Sequence, residues 1–99
     1  MRGGFPTLRR HVPESRAAPV ASGTPSVGQT LSVTNGVWYG DPPLFTYQWQ
    51  RNGVDIPGAT ANTYTTTAVD LGSVVRANVT ATDDEGSATA SSNGMLIGP

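Results

Sequence analysis

The sequence predicts an all-β fold: a sandwich of short antiparallel strands preceded by an extended N-terminal arm. Apolar and polar residues alternate at period two in strand-length segments, and Gly, Asn, Asp and Pro interrupt them roughly every eight to twelve positions. Helical periodicity of useful length occurs nowhere. At 99 residues and 36% hydrophobic content the chain supports one domain with a thin core, so each buried aromatic matters.

The segment Leu44 to Gly58 organises the rest. Phe45, Tyr47 and Trp49 alternate with Thr46, Gln48 and Gln50, the pattern of a strand with one dry and one wet face. Asn52-Gly53 supplies the two positive-φ residues of a type I′ hairpin turn, because Asn tolerates that conformation and Gly adopts it freely. This turn sets Arg51 opposite Val54, Gln50 opposite Asp55 and Trp49 opposite Ile56. Pro57 cannot donate to a ladder, so the second strand should be short and lie at a sheet edge.

Taken in order, Met1 to about Val20 contains Gly3, Gly4, Pro6, Pro13 and Pro19 without sustained periodicity, and reads as an arm (1–20) without a core of its own. The sandwich is expected over 21–99. Gln29 to Thr34 is a strand with Leu31 and Val33 on its inner face, and Asn35-Gly36 ends it. Val37-Trp38-Tyr39 is a short continuation before Gly40-Asp41-Pro42-Pro43. After the central hairpin, Asn62 to Thr67 is a strand with Tyr64 inward. Residues 68–72 form one tight helical turn that drops Leu71 into the core. Ser73 to Thr82 is the longest alternating run, with Val75, Ala77, Val79 and Ala81 inward. Asp83-Asp84-Glu85-Gly86 reverses the chain, Ser87 to Ser92 returns with Ala88 and Ala90 inward, and Met95 to Ile97 extends it past an irregularity at Asn93-Gly94. The expected core therefore contains Leu31, Val33, Trp49, Ile56, Tyr64, Leu71, Ala77 and Val79.

Charge is polarised. Arg2, Arg9, Arg10 and Arg16 share the first 16 positions with Glu14 alone, a formal +3 against −4 for the remainder. Phe5, Leu8 and Val12 lie among these arginines, so the arm offers apolar anchors and cations to a partner. Cysteine is absent, which removes the disulfide that small secreted β domains use and fits folding in a reducing compartment. Neither a secretion signal nor an apolar run of membrane-spanning length is evident, so no membrane association is expected.

Val27-Gly28-Gln29-Thr30-Leu31, Tyr47-Gln48-Trp49-Gln50-Arg51-Asn52-Gly53, Gly58-Ala59-Thr60, Tyr64, Asp70-Leu71-Gly72 and Val79-Thr80-Ala81-Thr82 together resemble bacterial and phage immunoglobulin-like domains. The resemblance spans about Ser22 to Ile97. It implies a sandwich of about seven strands in which Trp49 is the Trp of the third strand, the one that packs on an inter-sheet disulfide in antibody-type domains. Here Leu31 or Val33 and Ala77 or Val79 must replace that link by apolar contact. No Tyr follows Asp70-Leu71-Gly72 at the usual corner position. Domains of this kind serve as spacers, adhesive modules or virion surface ornaments, and fold alone does not choose among them.

Catalytic chemistry lacks parts. The chain has no Cys or Lys, and its single His, His11, lies in the arm, so a triad would need an unanchored base. No phosphate-binding loop or nucleophile elbow occurs, and no cofactor is implied. Asp83-Asp84-Glu85 reads as turn chemistry because three adjacent acids on a hairpin tip cannot converge on one cation, so no metal site is expected. Trp38 and Tyr39 are candidates for a glycan or partner contact through ring stacking. Four arginines without interleaved aromatics are a weak nucleic-acid footprint.

These readings converge on a non-enzymatic structural protein of a tailed phage virion. In that reading the sandwich decorates the capsid or tail and attaches to the major capsid protein or other virion proteins through Arg2, Phe5, Leu8, Arg9, Arg10, Val12 and Arg16. It would be assembled in the host cytoplasm and displayed on the virion surface, with a host-surface glycan as a weak additional partner. The alternative is a module of a bacterial cell-surface adhesin or carbohydrate-active protein.

Overall fold

A computed structural model describes residues 12–40, 42 and 44–99. Its strands are β1 (Glu14–Ala17), β2 (Ala21–Ser22), β3 (Thr30–Val33), β4 (Val37–Tyr39), β5 (Leu44–Arg51), β6 (Val54–Asp55), β7 (Thr63–Thr65), β8 (Val74–Asp83), β9 (Gly86–Ser91) and β10 (Met95–Leu96), with a 3-10 turn at Ala68–Asp70. The described residues form an all-β, sandwich-like fold. One sheet has the order β2-β3-β7. The other runs β6-β5-β8, with both β9 and β10 on the far side of β8, and every pairing between these strands is antiparallel.

The centre of the larger sheet is the β5–β8 ladder, in which Trp49 faces Ala77, Tyr47 faces Val79 and Phe45 faces Ala81. Large side chains on β5 opposite small ones on β8 let the sheet keep an even thickness. Trp49, Val75, Ala77 and Val79 from this sheet and Ala21, Leu31 and Val33 from the other merge into one buried cluster with Ile56 and Ile97. No covalent link joins the sheets, since the chain has no Cys. Trp49 is fully buried and stacks on Tyr64, with ring centroids 5.9 Å apart and planes 28° from parallel. Its indole N–H donates to the Ala61 carbonyl at 2.9 Å, so the one polar atom of the largest core side chain is satisfied.

The hairpin forms in the expected register, Gln50 with Asp55 and Arg51 with Val54. Asn52 and Gly53 have φ of 50° and 83°, as a type I′ turn requires. β6 ends after two residues, before Pro57, and lies at the sheet edge. The Gln48 amide then donates to the Ile56 carbonyl at 2.8 Å, fastening the following loop to β5.

Three expectations are corrected. Leu71 does not enter the core; it is 53% exposed, and Asp70 beside it is fully buried. A 3-10 turn of three residues presents one inward position, and the carboxylate takes it because hydrogen-bond donors converge there. The segment 12–20 is also not a free arm. β1 pairs with β4, with a register shift between Ser15 and Ala17, and Pro13 and Pro19 are fully buried on either side of it. Val37-Trp38-Tyr39 accordingly pairs with β1 in a two-stranded ribbon of its own instead of extending β3. The prolines leave few backbone donors to satisfy at the ends of β1, which suits a strand docked at the periphery.

Asn93 closes the gap between β9 and β10. Its side-chain amide accepts from Ala21 N at 2.8 Å and donates to Ala21 O at 3.1 Å, completing on β2 a backbone pair that no strand provides. At the opposite end of that sheet, the buried Thr66 hydroxyl donates to Ser26 O at 2.6 Å and accepts from Gln29 N at 3.2 Å.

Candidate functional site

The described residues carry two polar-aromatic constellations. The first lies where the β1–β4 ribbon meets the start of β5. Trp38 is half-buried against Phe45, with centroids 6.4 Å apart and rings inclined at 58°. Its indole N–H donates to Asn35 O at 2.7 Å, and the Tyr47 hydroxyl donates to Asn35 Oδ1 at 2.6 Å. The loop that turns β3 into β4 is thus held by two aromatic side chains. Gly36 sits inside this loop with φ of 81°, and a Cβ there would fall 2.6 Å from Ala17 O. Only glycine lets the loop approach the ribbon so closely.

Tyr39 points outward, 53% exposed, and the Arg16 guanidinium lies 5.7 Å from its ring centroid. This cation–π pair is within the distance at which ring quadrupole and charge attract. Val37 and Leu44 are exposed nearby in the chain, at the start of β4 and of β5. Among the described residues this surface therefore offers an aromatic ring beside a cation, with exposed Val37 two positions away on the same strand. Such a surface can stack on a planar or ring-shaped ligand or receive a partner's apolar side chain.

The second constellation is Arg51, Tyr64 and Asp70. Arg51 Nε donates to Asp70 Oδ1 at 2.5 Å, and the Tyr64 hydroxyl and Thr67 N–H donate to Asp70 Oδ2 at 2.6 and 2.8 Å. Burial pushes the Asp70 carboxyl up, but the donors Tyr64, Thr67 and Arg51 together hold it below its ordinary value of 3.8. Burial, then the neighbouring carboxylate, raises the Tyr64 phenol. The bond to Asp70 raises Arg51, whose side chain remains 28% exposed. The three donors and both carboxylate oxygens are engaged with one another, so this group joins the end of β5, β7 and the 3-10 turn. Tyr64, which precedes the turn, donates to Asp70 within it, and no Tyr follows the turn in the sequence. The sequence signal is Tyr64 six positions before Asp70 and Arg51 beside a hairpin turn, which becomes specific only once β5, β7 and the turn are placed.

Of the predicted partner-binding residues, Arg2, Phe5, Leu8, Arg9 and Arg10 lie outside the described residues, as does His11. Val12 and Arg16 are described, and both contact the body. Val12 lies over Gly86, where a Cβ would come within 2.8 Å of its Cγ1, and Arg16 covers Tyr39. Leu31, Val33, Trp49, Ile56, Ala77 and Val79 are buried, and Tyr64 is half-buried on the core. Asp83 acts in its turn, accepting from Glu85 N at 2.8 Å. Among the described residues no three His, Cys, Asp or Glu side chains gather as metal ligands, and no helix is long and apolar enough to cross a membrane. No family model, curated protein or solved structure matches the chain.

Proposed function

We propose that the chain is a non-enzymatic immunoglobulin-like module displayed on the surface of a tailed phage particle. The observation that carries this reading is the strand pairing. The orders β2-β3-β7 and β6-β5-β8 with β9 and β10 beyond β8 support it: in this reading they stand for strands A-B-E and C′-C-F-G, with buried Trp49 on the strand assigned to C. Such a sandwich presents loops and edges for contact while its polar interior serves the fold. Asp70, Thr66, Ser73 and Ser92 are buried and polar, and each is hydrogen-bonded within the fold. A particle assembled in the cytoplasm needs no disulfide in its surface proteins, which fits a cysteine-free sandwich.

Attachment in this reading runs through the residues ahead of Val12. Arg2, Arg9 and Arg10 supply cations for carboxylates of the major capsid protein or another virion protein, and Phe5 and Leu8 supply apolar anchors. The test uses particles lacking the protein, mixed with the full chain or with a chain beginning at Val12, which retains β1 and both buried prolines. Co-sedimentation of the full chain and loss of it for the shortened chain is expected. Equal sedimentation of both would move attachment onto the sandwich, and sedimentation of neither would reject the particle as partner.

The exposed Tyr39 ring beside Arg16 favours a second reading, a module of a bacterial surface adhesin or carbohydrate-active protein that stacks on sugar rings. Recovery of the chain from cell envelopes, with glycan retention lost on Tyr39→Ala, would select it over the first.

A further inference from the structure

Three Asn-Gly steps occur in the chain, Asn35-Gly36, Asn52-Gly53 and Asn93-Gly94. Such steps are chemically labile, because the unhindered glycine nitrogen can attack the Asn side-chain carbonyl, and asparagine is among the thermally sensitive residues for this reason. The fold treats the three amides differently.

Asn52 uses both ends of its amide, donating to Ser73 Oγ at 3.3 Å and accepting from Val74 N at 2.9 Å. Asn93 also uses both, in its paired bonds to Ala21. Asn35 uses only its oxygen, which accepts from the Tyr47 hydroxyl, while its amino group has no hydrogen bond among the described residues. Converting an Asn to an acid exchanges a two-hydrogen donor for an acceptor oxygen. At Asn93 that exchange would set a carboxylate oxygen against the Ala21 carbonyl, and at Asn52 it would remove the donor to Ser73. At Asn35 it removes no protein hydrogen bond and strengthens one, since Tyr47 would then donate to a charged acceptor.

We propose that Asn35 is a spontaneous modification site, the one of the three Asn-Gly steps at which the folded chain converts amide to carboxylate. The Gly36 nitrogen attacks Cγ of Asn35 and loses its proton, and charge develops on Oδ1, where the Tyr47 hydroxyl is placed to stabilise it. The C–N bond to the side-chain amino group breaks, ammonia leaves with the proton it gains, and a succinimide remains. Water then opens the ring at one of its two carbonyls. Opening at one restores the normal backbone with Asp at 35; opening at the other routes the main chain through the side chain and adds a methylene. The second product lengthens a loop in which Gly36 already lies against Ala17 and Pro19, so it should loosen β1 from β4.

The fold also makes the experiment simple. Arg16, Arg51 and Arg76 are the only tryptic sites beyond the first ten residues, so the three steps fall in separate fragments, 17–51, 52–76 and 77–99. The full chain is aged in mildly alkaline buffer, folded or in concentrated urea, then digested and read by mass spectrometry for amide-to-acid conversion. In the folded chain, conversion in 17–51 should run several times faster than in the other two fragments. In urea the three rates should approach one another, because each step is the same dipeptide. Tyr47→Phe should slow conversion at 35 in the folded chain without changing it in urea, and Asn35→Ser should abolish conversion in that fragment. Faster conversion in 52–76 or 77–99 of the folded chain, or the same ranking in urea, would overturn the assignment. Unchanged or faster conversion in folded Tyr47→Phe would overturn the role given to the phenol.

Discussion

The two halves of β5 share one sequence rhythm and end in different environments. In the second half Trp49 is fully buried, covered by Leu31 and Val33 of the facing sheet, by Tyr64, and by the loop that Gln48 fastens down. In the first half Phe45 and Tyr47 point to the same side of the strand but remain half-buried, because what covers them is the β3–β4 loop and Trp38. Alternation states which face a residue occupies; the layer laid over that face decides how deep it lies. This is why the two ends of one strand are expected to differ in stability, the Trp49 end being the firmer and the Phe45 end the more adaptable.

The sharpest way to break the comparison is to truncate both halves. Trp49→Ala should cost about 3–5 kcal/mol, the range for a fully buried aromatic. Phe45→Ala, at an incompletely buried position, should cost less, roughly half to two thirds of that. Urea denaturation monitored by circular dichroism gives both values. Similar losses for the two would show that the β3–β4 side is as tightly packed as the core. With total stability for a domain of this size on the order of 5–10 kcal/mol, Trp49→Ala could leave a largely unfolded chain, and Trp49→Phe then supplies the milder comparison.

Asp70 distinguishes the halves next. It ties Arg51, Tyr64 and Thr67 to one buried carboxylate, whereas among the described residues at the Tyr47 end a neutral amide takes the phenol. Asp70→Ala should cost about 2–4 kcal/mol, because it strands donors that the fold has buried or half-buried. The pH dependence follows in sign. The folded carboxyl titrates below its ordinary 3.8, so its contribution is complete above that pH. It is lost as pH falls through the lower, folded value. The Tyr64 phenol titrates above its ordinary 10.0, so its contribution holds below that pH and is lost as pH rises towards the raised value. Acid titration of stability should therefore flatten in Asp70→Asn. An unaltered acid limb would assign that limb to other carboxylates.

A smaller effect is expected in the turn that ends β5. Gly53 has φ of 83° and open space around its Cα, so Gly53→Val should lose about 1–2 kcal/mol through backbone strain alone. Gly36→Ala adds contact with Ala17 O to a similar strain and should cost more. If the two cost the same, the β3–β4 loop gives way readily, and the adaptable end is softer than its hydrogen bonds indicate.

Legibility in the sequence follows the same division. The hairpin, its register and the inward positions of β8 were readable because period-two alternation and an Asn-Gly turn are local signals. The short edge strand before Pro57 was readable for the same reason. Leu71 was misplaced because a three-residue turn has no periodicity, and hydropathy favours the leucine over the aspartate that three donors draw inward. The docking of 12–20 was not legible either, since Pro13, Pro19 and a bulged strand with no apolar alternation look like a linker until β4 is there to pair with. On the candidate surface, Trp38 and Tyr39 stand out in the sequence as aromatics beside a Gly- and Pro-rich segment. Their different fates, Trp38 turned onto Phe45 and Tyr39 turned out beneath Arg16, depend on β1.

The smallest effect on stability is expected at that outward-facing pair, and it is the most informative about the surface. Arg16 and Tyr39 are both exposed, and an exposed cation–π contact contributes about 0.5–1 kcal/mol before the entropy of holding a long side chain is subtracted. Arg16→Ala should therefore shift stability by no more than about 0.5 kcal/mol, and Tyr39→Ala by little more. The combined variant should fall close to the sum of the two, since the coupling between exposed groups is small. A coupling above about 1 kcal/mol would mean that the pair secures β1 to the body and belongs to the fold. A coupling near zero leaves the Tyr39 ring energetically free, so that a ligand or partner could displace Arg16 from it with little loss of stability. Amide hydrogen exchange along β1 provides the second reading. Unchanged protection of residues 14–17 in Arg16→Ala would place the hold on β1 with Pro13, Pro19 and the backbone ladder. Loss of protection there would give Arg16 a structural role and remove it from the candidate contact surface.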